Sequence, residues 1–254
     1  MRFLLIAFIA FIPKIYAQDQ EFSKLLELFR EPKTEIPGTL ANKYFEFTPS
    51  EGFDKLVTDQ VVIRANNFIA VSTFSDCSAG GSCEVSRLTF FNYVGERIGK
   101  IDYERIMADC SFNDTRHSVI QSDSLLVFRE TRERLDCLGD GRMTSKKVWL
   151  EFQPLAQNGK PKMSYTKIIA LDREHYDASC RIFEASDLQG KSREELSIIR
   201  NEIFAAHGYI FKTEKWQDYF APKSWYDPTQ EDVVDKLSVI EKANIDLIRS
   251  LEIN

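Results

Sequence analysis

The chain has 254 residues, 43% of them hydrophobic, and its 33 Lys and Arg stand against 39 Asp and Glu for a formal charge of -6. That acidic balance excludes a protein that grips nucleic acid or an anionic membrane surface through clustered cations, because both partners are polyanions. The length allows one large or two ordinary domains, with room for a core in each.

The chain opens on Arg2, an unbroken apolar run from Phe3 to Ile12, a breaker at Pro13, and a small Ala17 ahead of Gln18-Asp19-Gln20. This is the order of a secretory signal peptide, here residues 1–17. The run is too short for a bilayer span, which needs about twenty residues. Cleavage would remove Arg2 and Lys14 and take the charge to -8. No Cys follows the run as a lipid anchor requires, and no later segment reads as membrane-spanning once the signal is gone. The sequence predicts a secreted or periplasmic protein.

Residues 18–40 read as a short helix and a linker: Phe22, Leu25, Leu26 and Phe29 recur at helical spacing, and Pro32 to Gly38 is rich in breakers. From residue 41 to 176 the pattern is that of strands. Val61-Val62-Ile63, Phe68 to Val71, Arg87 to Phe91, Ser118 to Ile120, Leu125 to Phe128 and Val148 to Phe152 are short, β-branched or aromatic, and bounded by turn residues. A coarse repeat runs through them. Strands around Asn66-Asn67 and Gly95 are echoed by strands around Ser122-Asp123 and Asn158-Gly159, with a Cys-containing loop inside each copy. Two four-stranded meanders are too few for a propeller, so an antiparallel all-β domain, a sandwich or partial barrel of meander units, is expected.

Five Cys in an exported chain read as two disulfides and a remainder. Cys77 and Cys83 bracket a flexible tip, Cys110 and Cys137 can tie neighbouring loops, and Cys180 is left over; Cys83 with Cys137 is the competing pairing. No C-x-x-C occurs, and His117, His175 and His207 lack the spacing that sets two imidazoles on one helix face, so no metal or cofactor is expected. Asp114, Glu133, Asp136 and Asp140 lack the order of a calcium loop and read as surface acids. There is no nucleophile elbow and no phosphate loop.

The last stretch, 177–254, turns helical. Ser192 and Glu195 form a capping box, Leu196, Ile199, Ile203 and Phe204 a buried stripe, and Gly208 a left-handed stop. Thr213 is placed to cap a second short helix with Trp216, Tyr219 and Phe220. Val233, Leu237, Ile240, Leu247, Ile248 and Leu251 predict a third from about Gln230 to Leu251, with Asn244 facing Asn201 or Glu202. The whole is therefore expected to be α+β in two domains, the sheet first and a small three-helix domain after it.

Arg200 to Gly208 with Tyr209, Trp216, Tyr219-Phe220 and Trp225-Tyr226 resembles the YARHG domain, whose name-giving motif is occupied here by Phe204-Ala205-Ala206-His207-Gly208. Ala206 stands where the motif has Arg. The resemblance covers about residues 177–252, implies an exported protein associated with the cell envelope, and leaves the molecular function unassigned.

Arg200, Asn201, Glu202, His207, Trp225 and Tyr226 are the candidate ligand-binding residues, since aromatic faces beside a few hydrogen-bonding groups grip sugars or extended peptides. This predicts a non-catalytic binding protein whose partner is cell-wall glycan or peptide, or a secreted protein. One alternative is a cell-wall or peptide hydrolase using His207, although Glu202 lies five positions away and turns to another side of the helix. The other is a structural or inhibitory partner of a secreted protein that makes contact through its cysteine loops.

Overall fold

The computed structural model describes residues 20–49, 55–76 and 82–253. The expected signal segment and Cys77 lie outside these.

Helix α1 (Gln20–Leu28) forms where the apolar spacing predicts it and buries Phe22 and Leu25. A second helix, α2 (Gly38–Phe45), begins within the expected linker. Pro37 precedes its first turn, Ala41 and Tyr44 supply its buried side, and Glu46 ends it in the left-handed region at φ 55°. The rest of that linker is not slack. Lys33 and Thr34 exchange backbone hydrogen bonds with Thr58, and Ile36 with Leu56, so the segment covers the free edge of the first strand.

Eight strands follow: β1 (Val57–Arg64), β2 (Ile69–Asp76), β3 (Ser82–Phe91), β4 (Arg97–Ala108), β5 (Phe112–Gln121), β6 (Leu125–Leu135), β7 (Met143–Pro154) and β8 (Tyr165–Ile168). They form one antiparallel sheet in chain order, so the two four-stranded units are continuous through the β4–β5 pairing of Arg105 to Ala108 with Asn113 to Arg116. One sheet is not a sandwich of two. It curls instead: a Cβ on Gly159, in the β7–β8 turn, would sit 2.4 Å from the ring of Phe68 before β2, and one on Gly99 would sit 2.7 Å from Pro161. Gly159 also has φ +83°, so space and backbone both call for glycine there. Among the described residues β1 and β8 do not pair, and the curl stays open.

Alternation along each strand then fills two faces. Ala70, Leu88, Phe90, Leu126 and Phe128 form the inner core with Phe68 and Tyr103. Ile69, Val71 and Phe91 point outward against α1 and α2. Val127, Val148, Leu150 and Phe152 pack outward against Ile169, Cys180 and Ile240 of the helical region. Burial on both faces explains why runs such as Phe68-Ile69-Ala70-Val71 are apolar without a break.

Cys110 and Cys137 are joined, their Cα atoms 5.0 Å apart, across the far end of the β5–β6 hairpin. Cys137 is thereby unavailable to Cys83, which is itself disulfide-bonded. Cys180 is free and buried. Asp114, Glu133 and Asp140 face cations of their own, Arg134, Lys146 and Arg142.

The C-terminal region holds α3 (Arg193–Ala205), α4 (Glu214–Phe220) and α5 (Val239–Ile253), with short 3-10 helices at Tyr176–Ser179, Ala185–Leu188 and Val234–Lys236. The third α-helix thus starts later than its apolar spacing suggests. Val233 and Leu237 are buried, but through the 3-10 turn and the loop after it. Among the described residues no helix is long and apolar enough to cross a membrane.

Candidate functional site

Helix α3 starts as its sequence dictates: the Glu195 N–H donates to Ser192 Oγ at 3.2 Å, and the Ser192 N–H donates to Glu195 Oε2 at 2.7 Å. Leu196, Ile199 and Ile203 bury one face against Ile245 and Ile248 of α5. Past the C-terminus, Gly208 has φ +76°, and a Cβ there would lie 2.6 Å from the Asp227 carbonyl oxygen. The glycine lets residues 208–210 run beside 229–230, where Gln230 N–H donates to the Gly208 carbonyl and Ile210 N–H to the Gln230 carbonyl, each at 2.8 Å. Thr213 precedes α4 as expected, without a side-chain cap bond.

A second capping box begins α5. The Ser238 N–H donates to Glu241 Oε2 at 2.8 Å, and the Glu241 N–H to Ser238 Oγ at 3.2 Å. The S-x-x-E spacing at 238–241 is the signal that could have placed this helix start. The same Glu241 carboxylate, with no exposed surface, receives His207 Nε2 at 3.0 Å and Lys167 Nζ of β8 at 2.8 Å. Burial alone would raise its pKa, but the hydrogen bond from His207 and the charges of Lys167 and His207 outweigh that and hold it well below the usual carboxylate range.

The six expected site residues do not converge. Glu202, 2% exposed, accepts from the Arg173 guanidinium at 3.3 Å and from the His175 N–H at 2.8 Å. His207 is held in the Glu241 and Lys167 cluster, so the two candidate hydrolase groups belong to separate networks. Trp225 packs beside Arg173 and Phe220, and the Tyr226 hydroxyl donates to the Tyr209 carbonyl at 2.8 Å. Asn244 meets neither Asn201 nor Glu202: it accepts from the Phe183 N–H and donates to the carbonyls of Ala178 and Arg181, each at 2.8 Å. Arg173 and Lys167 were invisible as site residues because their partners lie 29 and 74 positions away.

Arg200 and Asn201 do share a site. They line a groove of about 500 Å³ with Phe204, Tyr209, Phe211 and Trp216 as its aromatic floor. Arg200 is tethered to Glu252 at 3.1 Å. Lys212, Arg249 and Glu231 line the same groove as exposed residues, and among the described residues none of these three has an ion-pair partner. Asn201 is 8% exposed, and no group among the described residues hydrogen-bonds its carboxamide. The carboxamide lines the groove with its donor and acceptor open to a ligand.

Residues 173–253 match the family model of the YARHG domain. No curated protein and no solved structure matches the chain. Within the YARHG domain the motif residues serve architecture: Phe204 and Tyr209 join the aromatic cluster, His207 binds Glu241, and Gly208 makes the close turn. Ala206, in the place of the motif Arg, is half-buried at the C-terminus of α3, where its N–H donates to the Glu202 carbonyl at 3.0 Å.

Proposed function

We propose that this is an exported, non-catalytic binding protein of the cell envelope or extracellular space, and that its YARHG domain grips cell-wall glycan or its peptide stem in the groove beside α3. The observation that carries this reading is Asn201, whose carboxamide has no hydrogen-bond partner among the described residues and lines a groove with four aromatic side chains. Aromatic faces take the apolar side of a sugar ring or side chain, and one amide offers both donor and acceptor to fix its orientation. Lys212, Arg249 and Glu231 in the lining suit a ligand that carries charges of both signs. Export is supported by the leader-like sequence of residues 1–17 and by the Cys110–Cys137 disulfide, a bond that persists in oxidising compartments.

Co-sedimentation with purified peptidoglycan tests the proposal. Wild-type protein is expected in the pellet, and Asn201→Ala is expected to bind about tenfold more weakly, as the loss of a site-buried hydrogen bond implies. Absence of wild-type retention, or equal retention of the variant, would overturn it.

A further inference from the structure

A second cavity lies in the curled sheet, away from the YARHG domain and independent of the groove. It occupies about 290 Å³ among the ends of β1 to β5. Three carboxylates line it, Asp59, Glu84 and Glu104. Asp59 accepts one hydrogen bond, from the Ser72 hydroxyl at 2.6 Å. Among the described residues, Glu84 and Glu104 have neither a hydrogen bond nor an ion pair through their side chains. Arg105 also reaches the wall, but its guanidinium is committed to Glu130 and Asp102. Lys33 is then the one uncommitted lysine or arginine among the described residues of the lining, set against three carboxylates. The deficit of positive charge is local and sits on a chain that is acidic throughout.

Ser86 supplies the independent sign of a ligand. It is 7% exposed, it lines the cavity, and no group among the described residues hydrogen-bonds its hydroxyl. Phe74 adds an aromatic face to the same wall. Among the described residues no three His, Cys, Asp or Glu side chains are close enough together to hold a metal ion. The negative groups are therefore spread to the reach of a molecule with several separated donors. A short diamine carries two ammonium groups to divide among the carboxylates and the hydroxyl, and the methylenes between them can lie on Phe74. Ser86 and His117 line one cavity without a hydrogen bond between them, so the contact that activates a nucleophile is missing and the arrangement is one for binding.

We propose that this cavity binds a small organic diamine, its two ammonium groups divided among Asp59, Glu84 and Glu104 as the counter-charges, with Ser86 as a hydrogen-bonding partner and Phe74 as the apolar wall.

Isothermal titration of the protein with putrescine at low ionic strength is the test, with calcium titrated separately. Saturable one-to-one binding of putrescine is expected, weakened about tenfold or more by Glu104→Gln and by Ser86→Ala. Glu84→Gln, at an exposed position whose side chain makes no bond that folding would need, is expected to weaken it in the same direction. Asn201→Ala is expected to leave it unchanged, which separates this site from the groove. No saturable putrescine binding, equal binding by the Glu104 and Glu84 variants, or calcium binding that is lost in the same variants would overturn the proposal.

Discussion

His207 Nε2 lies 3.0 Å from Oε2 of Glu241, a carboxylate with no exposed surface whose other oxygen is 2.8 Å from Lys167 Nζ. Three elements meet at this one group: the end of α3, the start of α5 and the edge strand β8. The motif histidine of the YARHG domain is therefore a fastening between the helices and the sheet. Removing one partner of a buried pair leaves a charge poorly compensated, at a cost of about 3–5 kcal/mol when the site is sealed. Lys167 remains in His207→Ala, so the smaller loss of about 2 kcal/mol is expected, seen as a lower midpoint in thermal unfolding. Glu241→Ala, which strips His207, Lys167 and the Ser238 N–H of their acceptor, is expected to lose more.

Acid should unlock the same contact. The Glu241 carboxyl is held below its ordinary value of 4.5, so the folded state binds this proton less readily than the unfolded chain does. Its contribution is complete above about pH 4.5 and is lost as pH falls toward and through the folded value. Denaturant midpoints measured from pH 7 to pH 3 are expected to drop below pH 4.5 in the wild type, and to drop less steeply in Glu241→Gln, which has no proton to gain there.

Gly208→Ala puts a Cβ 2.6 Å from the Asp227 carbonyl on a backbone at φ +76°. The left-handed conformation alone costs a non-glycine residue about 1–2 kcal/mol, and the clash adds to it. Urea unfolding is expected to show a loss beyond that range. Gly190→Ala, with a similar φ of +78° and open space around its Cβ, should lose only the conformational part.

The Cys110–Cys137 bond closes a sequence separation of 27 residues, and its removal in a Cys110→Ser, Cys137→Ser double variant is expected to cost about 2–4 kcal/mol. Cys180 behaves differently. Burial pushes its thiol up to about 11, and its Sγ donates to the Tyr176 carbonyl at 3.2 Å. Ellman's reagent at pH 8 is expected to leave Cys180 unmodified in the native protein and to modify it after unfolding, the difference vanishing in Cys180→Ser.

The strands were legible because burial on both faces writes unbroken apolar runs, and the turn glycines because positive φ admits little else. Helix α2 was hidden by its brevity and by the breakers before it. The start of α5 was misread because Val233 and Leu237 are buried at helical spacing without being helical. Asn244 was assigned the wrong partners for a physical reason: it bonds backbone atoms of residues 178–183, and backbone groups leave no mark in a sequence. Asn201 is a candidate in the sequence, but its groove is assembled from α3, α4, α5 and two connecting segments that come together only in the folded chain.

The most direct measurement compares His207→Ala and Asn201→Ala for both thermal midpoint and retention on purified peptidoglycan. His207→Ala should melt roughly 4–8 °C lower, as about 2 kcal/mol implies for a chain of this size, and still be retained at temperatures where it is folded. Asn201→Ala should melt as the wild type does and bind about tenfold more weakly. A His207→Ala protein with an unchanged midpoint and abolished retention, or an Asn201→Ala protein retained in full, would contradict the division of the YARHG domain into a fastening histidine and a gripping asparagine.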